Sequence, residues 1–296
     1  MGKDYYDTSA SVRELFELAS DACGLDTARL LFESGEAELK ETRNTQISIT
    51  LMNLAIRVYL EERGILSSGA AGFSLGEWSA YVDAGVLLPG EVFPIVMKRA
   101  ELMAFRSEQL HSGSGMAAVI GLSPEAVEEA LGGISGVFPA NYNSPDQTVI
   151  SGTSEGTALA GEACKKAGAR RVIPLKVSGP FHTPLLNEAA EAFEEYLRDI
   201  DFRPPTKPVY SNVSGRAVTT PGEVRENAVL QIISPVRWTT EEGQISSDGY
   251  DLCIECGPGK VLSGLWKKSG SGIPCLSTDS LSAAQSLMEK IEEISG

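Results

Sequence analysis

A chain of 296 residues, 42% apolar and 22% charged, has the size and composition of a globular enzyme built as one large domain with an insert, or as two domains. Its formal charge of −15, from 25 basic against 40 acidic residues, argues against nucleic acid as a partner, since no basic stripe stands out. No apolar run approaches the roughly 20 residues that cross a bilayer. Met1-Gly2-Lys3-Asp4-Tyr5-Tyr6 lacks a signal-peptide core, and Tyr6 breaks the myristoylation pattern, so the expected location is the cytoplasm, with no membrane partner.

In chain order, Ser11-Val12-Arg13-Glu14 has the spacing of a capping box and predicts a helix with Val12, Leu15, Phe16 and Ala19 on one face. Ile47, Leu51, Leu54 and Val58 recur at helical spacing, with Gly64 as the stop. Next comes Ala70-Ala71-Gly72-Phe73-Ser74-Leu75-Gly76-Glu77-Trp78, which contains G-x-S-x-G, the spacing of a nucleophile elbow. On such an elbow a serine sits on a sharp turn between a buried strand and a helix. Gly72 and Gly76 are then the positions where a Cβ would collide, Ser74 Oγ is presented for attack, and the Leu75 N–H faces a developing oxyanion. An ordinary small-residue turn is the alternative reading. Helices follow to about Phe105.

From Gly115 the pattern changes. Met116–Leu122 reads as a strand, Ser123-Pro124-Glu125 as a capped helix start, Val137–Tyr142 and Thr148–Ser151 as strands, then a helix ending at Gly168 and a strand from Arg171 to Val177. This β-α-β-β-α-β order is that of a ferredoxin-like insert over residues 114–178. The fold class expected is α/β: a hydrolase-like catalytic part with a parallel central sheet, residues 1–113 and 179–296, carrying that insert.

A nucleophilic serine needs a base, and the chain holds two histidines. His111 lies in a polar loop and reads as a solvated surface residue. His182 stands between Pro180 and Pro184, which restrict the backbone around it. A hydrolase triad would want an acid between serine and histidine, and Asp146 in Asn-Ser-Pro-Asp is a candidate, or a turn residue. The five cysteines, with no secretion signal, read as free buried thiols; Cys253-Ile254-Glu255-Cys256 lacks the further ligands a metal site needs. Gly257-Pro258-Gly259-Lys260 lacks phosphate-loop spacing and reads as a tight turn before a helix.

Gly72–Ala80, Met97-Lys98-Arg99 with Met103, Gly115–Val119, Asn141-Tyr142-Asn143-Ser144-Pro145, Val177–His182, Ser211-Asn212-Val213, Ser234–Trp238 and Glu255–Leu262 together resemble, in order and over nearly the whole chain, the malonyl-CoA:acyl carrier protein transacylases of fatty-acid and polyketide synthesis. The resemblance implies Ser74 as nucleophile, His182 as base, and the main-chain carbonyl of Gln231 as orienter of the histidine. It implies Arg99 as the grip on the malonyl carboxylate, with Asn141, Asn143 and Asn212 hydrogen-bonding around the site and Phe181 restricting branched acyl groups. The partners implied are malonyl-CoA and, transiently, an acyl carrier protein, with a monomeric chain, no metal and no cofactor beyond the CoA thioester itself. Lys260, Lys267 and Lys268 are either part of a carrier-protein patch or scattered solvated lysines. Two departures stand out. Phe73 occupies the position where the family most often has His. The family also begins with a strand and a Gly-Gln-Gly-Ser-Gln loop that would precede Met1, so the expectation is either a miscalled start or a truncated, impaired copy that only binds CoA or carrier protein. A serine thioesterase is the other enzyme reading.

Overall fold

In the computed structural model, which describes residues 1–110, 113–177 and 179–295, helices and short strands alternate along a mixed α/β chain. Six helices and one short strand come first: α1 (Lys3–Thr8), α2 (Ala10–Cys23), α3 (Thr27–Phe32), α4 (Glu36–Leu39), α5 (Thr42–Glu61), β1 (Ala70–Ala71) and α6 (Gly76–Asp83). After α7 (Pro89–Glu108) come β2 (Ser114–Ile120), α8 (Pro124–Leu131), β3 (Val137–Ser144), β4 (Gln147–Thr153), α9 (Ser154–Lys166) and β5 (Arg171–Leu175). The remainder is a 3-10 turn (Pro184–Leu186), α10 (Asn187–Leu197), β6 (Val209–Tyr210), β7 (Ala217–Val218), α11 (Pro221–Leu230), α12 (Trp238–Ser247), β8 (Cys253–Glu255), α13 (Val261–Ser269), β9 (Cys275–Ser277) and α14 (Leu281–Ser295). Among the described residues no helix is long and apolar enough to cross a membrane.

The chain forms two compact units: residues 1–97, 203–209 and 245–296, and residues 98–202 and 210–244. In the first, α5 buries Ile47, Leu51 and Leu54 completely, as the helical period of those residues requires. Tyr5 on α1 is fully buried, and its hydroxyl donates to the carbonyls of Thr278 and Ser280, tying the first helix to the chain beyond β9. The cap of α2 is Ser9, whose Oγ accepts from the Val12 N–H, so the helix starts ahead of the Ser11 predicted from its capping-box spacing. Ser9 Oγ also donates to the Glu62 carboxylate at the end of α5, a long-range partner that local spacing does not reveal. The strand leading into the elbow is shorter and less buried than expected: two half-buried residues, with the Ala70 N–H donating to the Pro208 carbonyl.

The second unit holds a four-stranded antiparallel sheet in the order β3-β4-β2-β5. Register explains its two faces. Ala117 opposes Ile150 and Val119 opposes Thr148. Ala117, Val119 and Ile150 pack with Val137 against Val127 and Leu131 of α8 and Ala160 and Cys164 of α9. Met116, Ala118, Ala140 and Val149 point to the other face, where Leu175 and Phe181 pack on them. Each fully buried Val or Ile in such a core contributes about 1.5–3 kcal/mol. Ser123 caps α8, with Pro124 in its first turn, and Thr153 caps α9 by accepting from the Gly156 N–H. Asp146 lies in the turn between β3 and β4, where its carbonyl accepts from the Gly121 N–H and its carboxylate from Ser144 Oγ. Val236 runs beside β3 in parallel, its carbonyl accepting from the Tyr142 N–H and its N–H donating to the Ala140 carbonyl. This docking seats the segment that follows α11.

The cysteines correct one expectation. All five are free, but only Cys23 and Cys164 are buried; Cys253, Cys256 and Cys275 are half-buried, Cys253 standing opposite Cys275 in the two-stranded parallel pair of β8 and β9. Burial pushes the Cys256 thiol up to about 12, so it stays protonated at neutral pH. Among the described residues no group of three or more His, Cys, Asp or Glu side chains converges as a metal site would require. His111 lies outside the described residues.

Candidate active site

In the first unit, the bend at Ser74 begins α6. Gly76 N–H donates to the Phe73 carbonyl, Glu77 N–H to that of Ser74, and Trp78 N–H to that of Leu75, so the turn tightens directly into the helix. Leu75 is the N-cap, where helix N–H groups are oriented toward whatever lies before the first turn. Ser74 is half-buried and held at φ 50. A Cβ on Gly72 would lie 2.1 Å from the Gly76 carbonyl carbon and 2.2 Å from the Glu77 nitrogen, which makes glycine a steric requirement there. Gly76 differs from the sequence expectation: a Cβ at that position meets no atom within 4 Å. Behind the bend, Glu77 and Trp78 are completely buried; Tyr81 Oη donates to Glu77 Oε1 at 2.8 Å, and the Trp78 and Tyr81 rings meet edge to face. These second-row residues anchor the helix that carries the serine.

In the second unit, four of the residues singled out from the sequence come together. His182 is 4% exposed and sits at φ 61. Ser74 and His182 are thus the two non-glycine residues with positive φ among those described, a backbone state that is uncommon without glycine and is maintained only where the surroundings enforce it. Thr183 Oγ1, next in the chain, donates to the Pro180 carbonyl and closes the loop. His182 Nδ1 lies 2.8 Å from the Gln231 carbonyl oxygen. A carbonyl only accepts, so Nδ1 carries the proton and Nε2 presents its lone pair.

The side chain of the same Gln231 faces the other way. Its Oε1 accepts from Arg99 Nη2 at 3.1 Å, and its Nε2 donates to Asn212 Oδ1 at 3.3 Å. Arg99 is 2% exposed, so a guanidinium charge is held in a nearly dry site. Burial, followed by that charge, pushes the His182 imidazole down to about 4, against the opposing influence of the Gln231 and Ser234 backbones. The ring is therefore neutral at physiological pH and able to accept a proton.

The other predicted positions are placed as follows. Asn141 and Asn143 are buried on β3; Asn141 lies alongside Val236, and Asn143 Oδ1 is a buried acceptor with no hydrogen-bond partner among the described residues. Phe181 packs on the sheet face formed by Met116, Ala118, Ala140 and Val149. Lys260, Lys267 and Lys268 are exposed on the first unit. A cavity of about 300 Å³ in that unit, lined by Lys260, Cys275 and Lys290 among others, is lined by none of the candidate catalytic or acyl-binding residues. Sequence reasoning passed over Glu241. It is completely buried and accepts from Asn212 Nδ2 at 2.8 Å, although Trp238-Thr239-Thr240-Glu241-Glu242 reads as an ordinary polar helix start.

Taken separately, a serine at positive φ on a bend that requires Gly72 and a buried neutral imidazole held by a main-chain carbonyl are each groups that acyl-transfer chemistry uses. The acyl transferase domain model matches residues 1–273. The chain belongs to the malonyl-CoA:acyl carrier protein transacylase family of acyl transferases. It is 39% identical over 273 residues, 90% of this chain and 85% of the relative, to the malonyl CoA-acyl carrier protein transacylase of Bacillus subtilis strain 168. The crystal structure of the transacylase from Clostridium perfringens ATCC 13124 superposes with a TM-score of 0.95 at 35% identity, covering 100% of this chain and 93% of that one. A type II PKS acyl-carrier protein in complex with its malonyl-transacylase matches with a TM-score of 0.94 at 34% identity, covering 98% and 94%. Family membership thus accounts for the mixed α/β character of the chain, with its many helices and several small sheets.

Proposed function

We propose that the chain transfers a malonyl group from malonyl-CoA to the phosphopantetheine thiol of an acyl carrier protein, as a step of fatty-acid synthesis. Ser74 Oγ attacks the thioester carbonyl while His182 Nε2 takes its proton. The Leu75 N–H and one further donor hold the oxyanion. Collapse of the tetrahedral intermediate expels the CoA thiol, which recovers the proton from His182, and leaves a malonyl ester on Ser74. The carrier thiol then gives its proton to His182, attacks the ester, and the proton returns to Ser74 Oγ as the product leaves.

Arg99 takes the free carboxylate of the malonyl group in a two-pronged pair, with Gln231 fixing the plane of the guanidinium. An acyl group that ends in a carboxylate adds a charge-assisted pair to this buried cation and one without it does not, which sets malonyl above acetyl. Asn141, Asn143 and Asn212 hydrogen-bond around the acyl group, and Phe181 restricts branching at the α-carbon. The part that holds Ser74 and His182, residues 1–113 and 179–296, would be hydrolase-like with a parallel central sheet, and residues 114–178 a ferredoxin-like insert. The β3-β4-β2-β5 order with both helices on one face supports the second of these assignments.

The observation that carries the reading is that one residue, Gln231, orients the histidine through its backbone and the cation through its side chain. Incubation with radiolabelled malonyl-CoA tests it. Label should appear on Ser74 and pass to added holo carrier protein. Rapid release of free malonate without a carrier would mark a thioesterase instead, and binding without label on Ser74 would reject the enzyme reading.

A further inference from the structure

The hydrogen-bond chain does not end at Gln231. Arg99 Nη2 donates to Gln231 Oε1, Gln231 Nε2 donates to Asn212 Oδ1, and Asn212 Nδ2 donates to Glu241 Oε1. All four side chains are at most 2% exposed. Each amide in this chain has an oxygen end and a nitrogen end, and only one arrangement of the two ends lets Gln231 offer oxygen to Arg99. Asn212 must then offer its own oxygen to Gln231 and its NH2 outward. Whatever receives that NH2 has to be an acceptor, and a carboxylate, which offers only acceptors when ionised, leaves no alternative orientation.

The backbone fixes both ends of the last link. Arg237 N–H donates to the Asn212 carbonyl, while the Glu241 N–H returns to the Arg237 carbonyl at the start of α12. The turn after Asn212 reaches Gly215, held at φ 68; a Cβ there would lie 2.5 Å from Thr240 Cβ, so glycine allows the turn and the helix to approach this closely. Glu241 is thereby set against Asn212 by main-chain geometry rather than by a flexible side-chain encounter.

We propose that Glu241 is a positioning residue for acyl selection: through Asn212 it locks the orientation of Gln231 and so the guanidinium plane of Arg99, without itself touching substrate. This inference rests on the proposed role of Arg99 in gripping the malonyl carboxylate. It predicts that a change at Glu241 alters the choice between malonyl and acetyl while leaving serine reactivity intact.

Single-turnover acylation of Ser74 by malonyl-CoA and by acetyl-CoA, followed by intact-protein mass, measures that choice. Glu241→Met should lower the malonyl-over-acetyl preference by about tenfold, through a weaker malonyl KM. Glu241→Gln, which can still present an oxygen to Asn212, should restore most of it. Labelling of Ser74 by a fluorophosphonate should be the same in both. Should Glu241→Met not fold, Glu241→Ala removes the same acceptor while leaving Asn212 and its bond to Gln231 in place, and the same loss of preference is expected. Unchanged preference in the folded variant, or equal loss with both thioesters, overturns the role of Glu241. Arg99→Ala in parallel separates the two ideas. Preference retained in Arg99→Ala refutes the grip itself, whereas preference lost there but retained in Glu241→Met refutes only the positioning.

Discussion

His182 Nδ1 and the main-chain carbonyl of Gln231 are 2.8 Å apart in a site where both residues are almost completely buried. A hydrolase would commonly place a carboxylate there. A carbonyl fixes the same tautomer without adding a negative charge, and the difference matters beside a substrate that carries its own carboxylate. The orienting group is also immune to side-chain replacement, because it belongs to the backbone.

This immunity yields a separable prediction. Gln231→Ala retains the carbonyl that holds His182 and removes the Oε1 that holds Arg99. Hydrogen bonds to charged groups are worth about 1.5–3 kcal/mol, so the KM for malonyl-CoA should rise roughly 10-fold or more. The rate of Ser74 labelling by a fluorophosphonate should stay within about twofold of wild type. A parallel collapse of serine reactivity would show that the side chain, not the carbonyl, sets up the base.

Stability should fall in acid for a defined reason. The His182 imidazole is pushed from 6.5 down to about 4 by burial and by the charge of Arg99. Between those values the unfolded chain binds a proton that the folded chain does not, so stability is present above the unfolded value and lost as the pH drops toward the folded one. The loss from this residue is about 2 kcal/mol between about pH 7.5 and about pH 5. Urea melts at the two pH values should show it in the wild type and lack it in His182→Asn, since asparagine tolerates a positive φ. An identical pH dependence in the variant would mean that other groups carry the effect.

Much of the framework was legible because local chemistry and tertiary structure agree. Met116 to Val119 alternate between two faces, both used, and Ser123-Pro124 caps and opens α8 where the spacing puts it. At the start of α2 the cap is Ser9 and not Ser11, and Ser9 also reaches Glu62, a partner distant in sequence that local spacing does not reveal. Ser74 could be singled out because its motif includes Gly72, where glycine meets a local steric demand. Gln231 and Arg99 were legible only through resemblance, since nothing in their own sequence surroundings says that they meet across 132 positions. Glu241 was not legible at all: its meaning comes from the orientation of an amide on another segment, and a glutamate in a polar helix start usually faces water.

The proposed grip of Arg99 on the malonyl carboxylate, together with its charge beside His182, gives it a double signature. Arg99→Met should lose malonyl loading and gain acetyl loading. It should also move the acid limb of the acylation pH profile upward, because the charge of Arg99 is one of the influences holding His182 down. Arg99→Lys keeps a charge but offers a point rather than a fork, so it should leave the acid limb near its wild-type position while weakening malonyl selection. If Arg99→Met changes neither acyl preference nor the acid limb, the guanidinium plays no part in the site.

The two glycines that flank Ser74 should respond in opposite ways. At Gly72 a methyl would overlap backbone atoms of Gly76 and Glu77 at 2.1 and 2.2 Å, and backbone cannot swing aside as the end of a side chain can. Gly72→Ala therefore has to open the bend, moving Ser74 off its strained position at φ 50 and separating it from the helix whose N-terminus it adjoins. Gly76 opens α6 with no atom near its would-be Cβ, so alanine there adds helix propensity and reduces the freedom of the unfolded chain, a gain of up to about 1 kcal/mol. Thermal unfolding and fluorophosphonate labelling check the pair. Gly76→Ala should melt at or above the wild-type temperature and still label at Ser74, whereas Gly72→Ala should lose labelling. Comparable behaviour of the two variants would mean that steric clearance is not what requires glycine ahead of the serine.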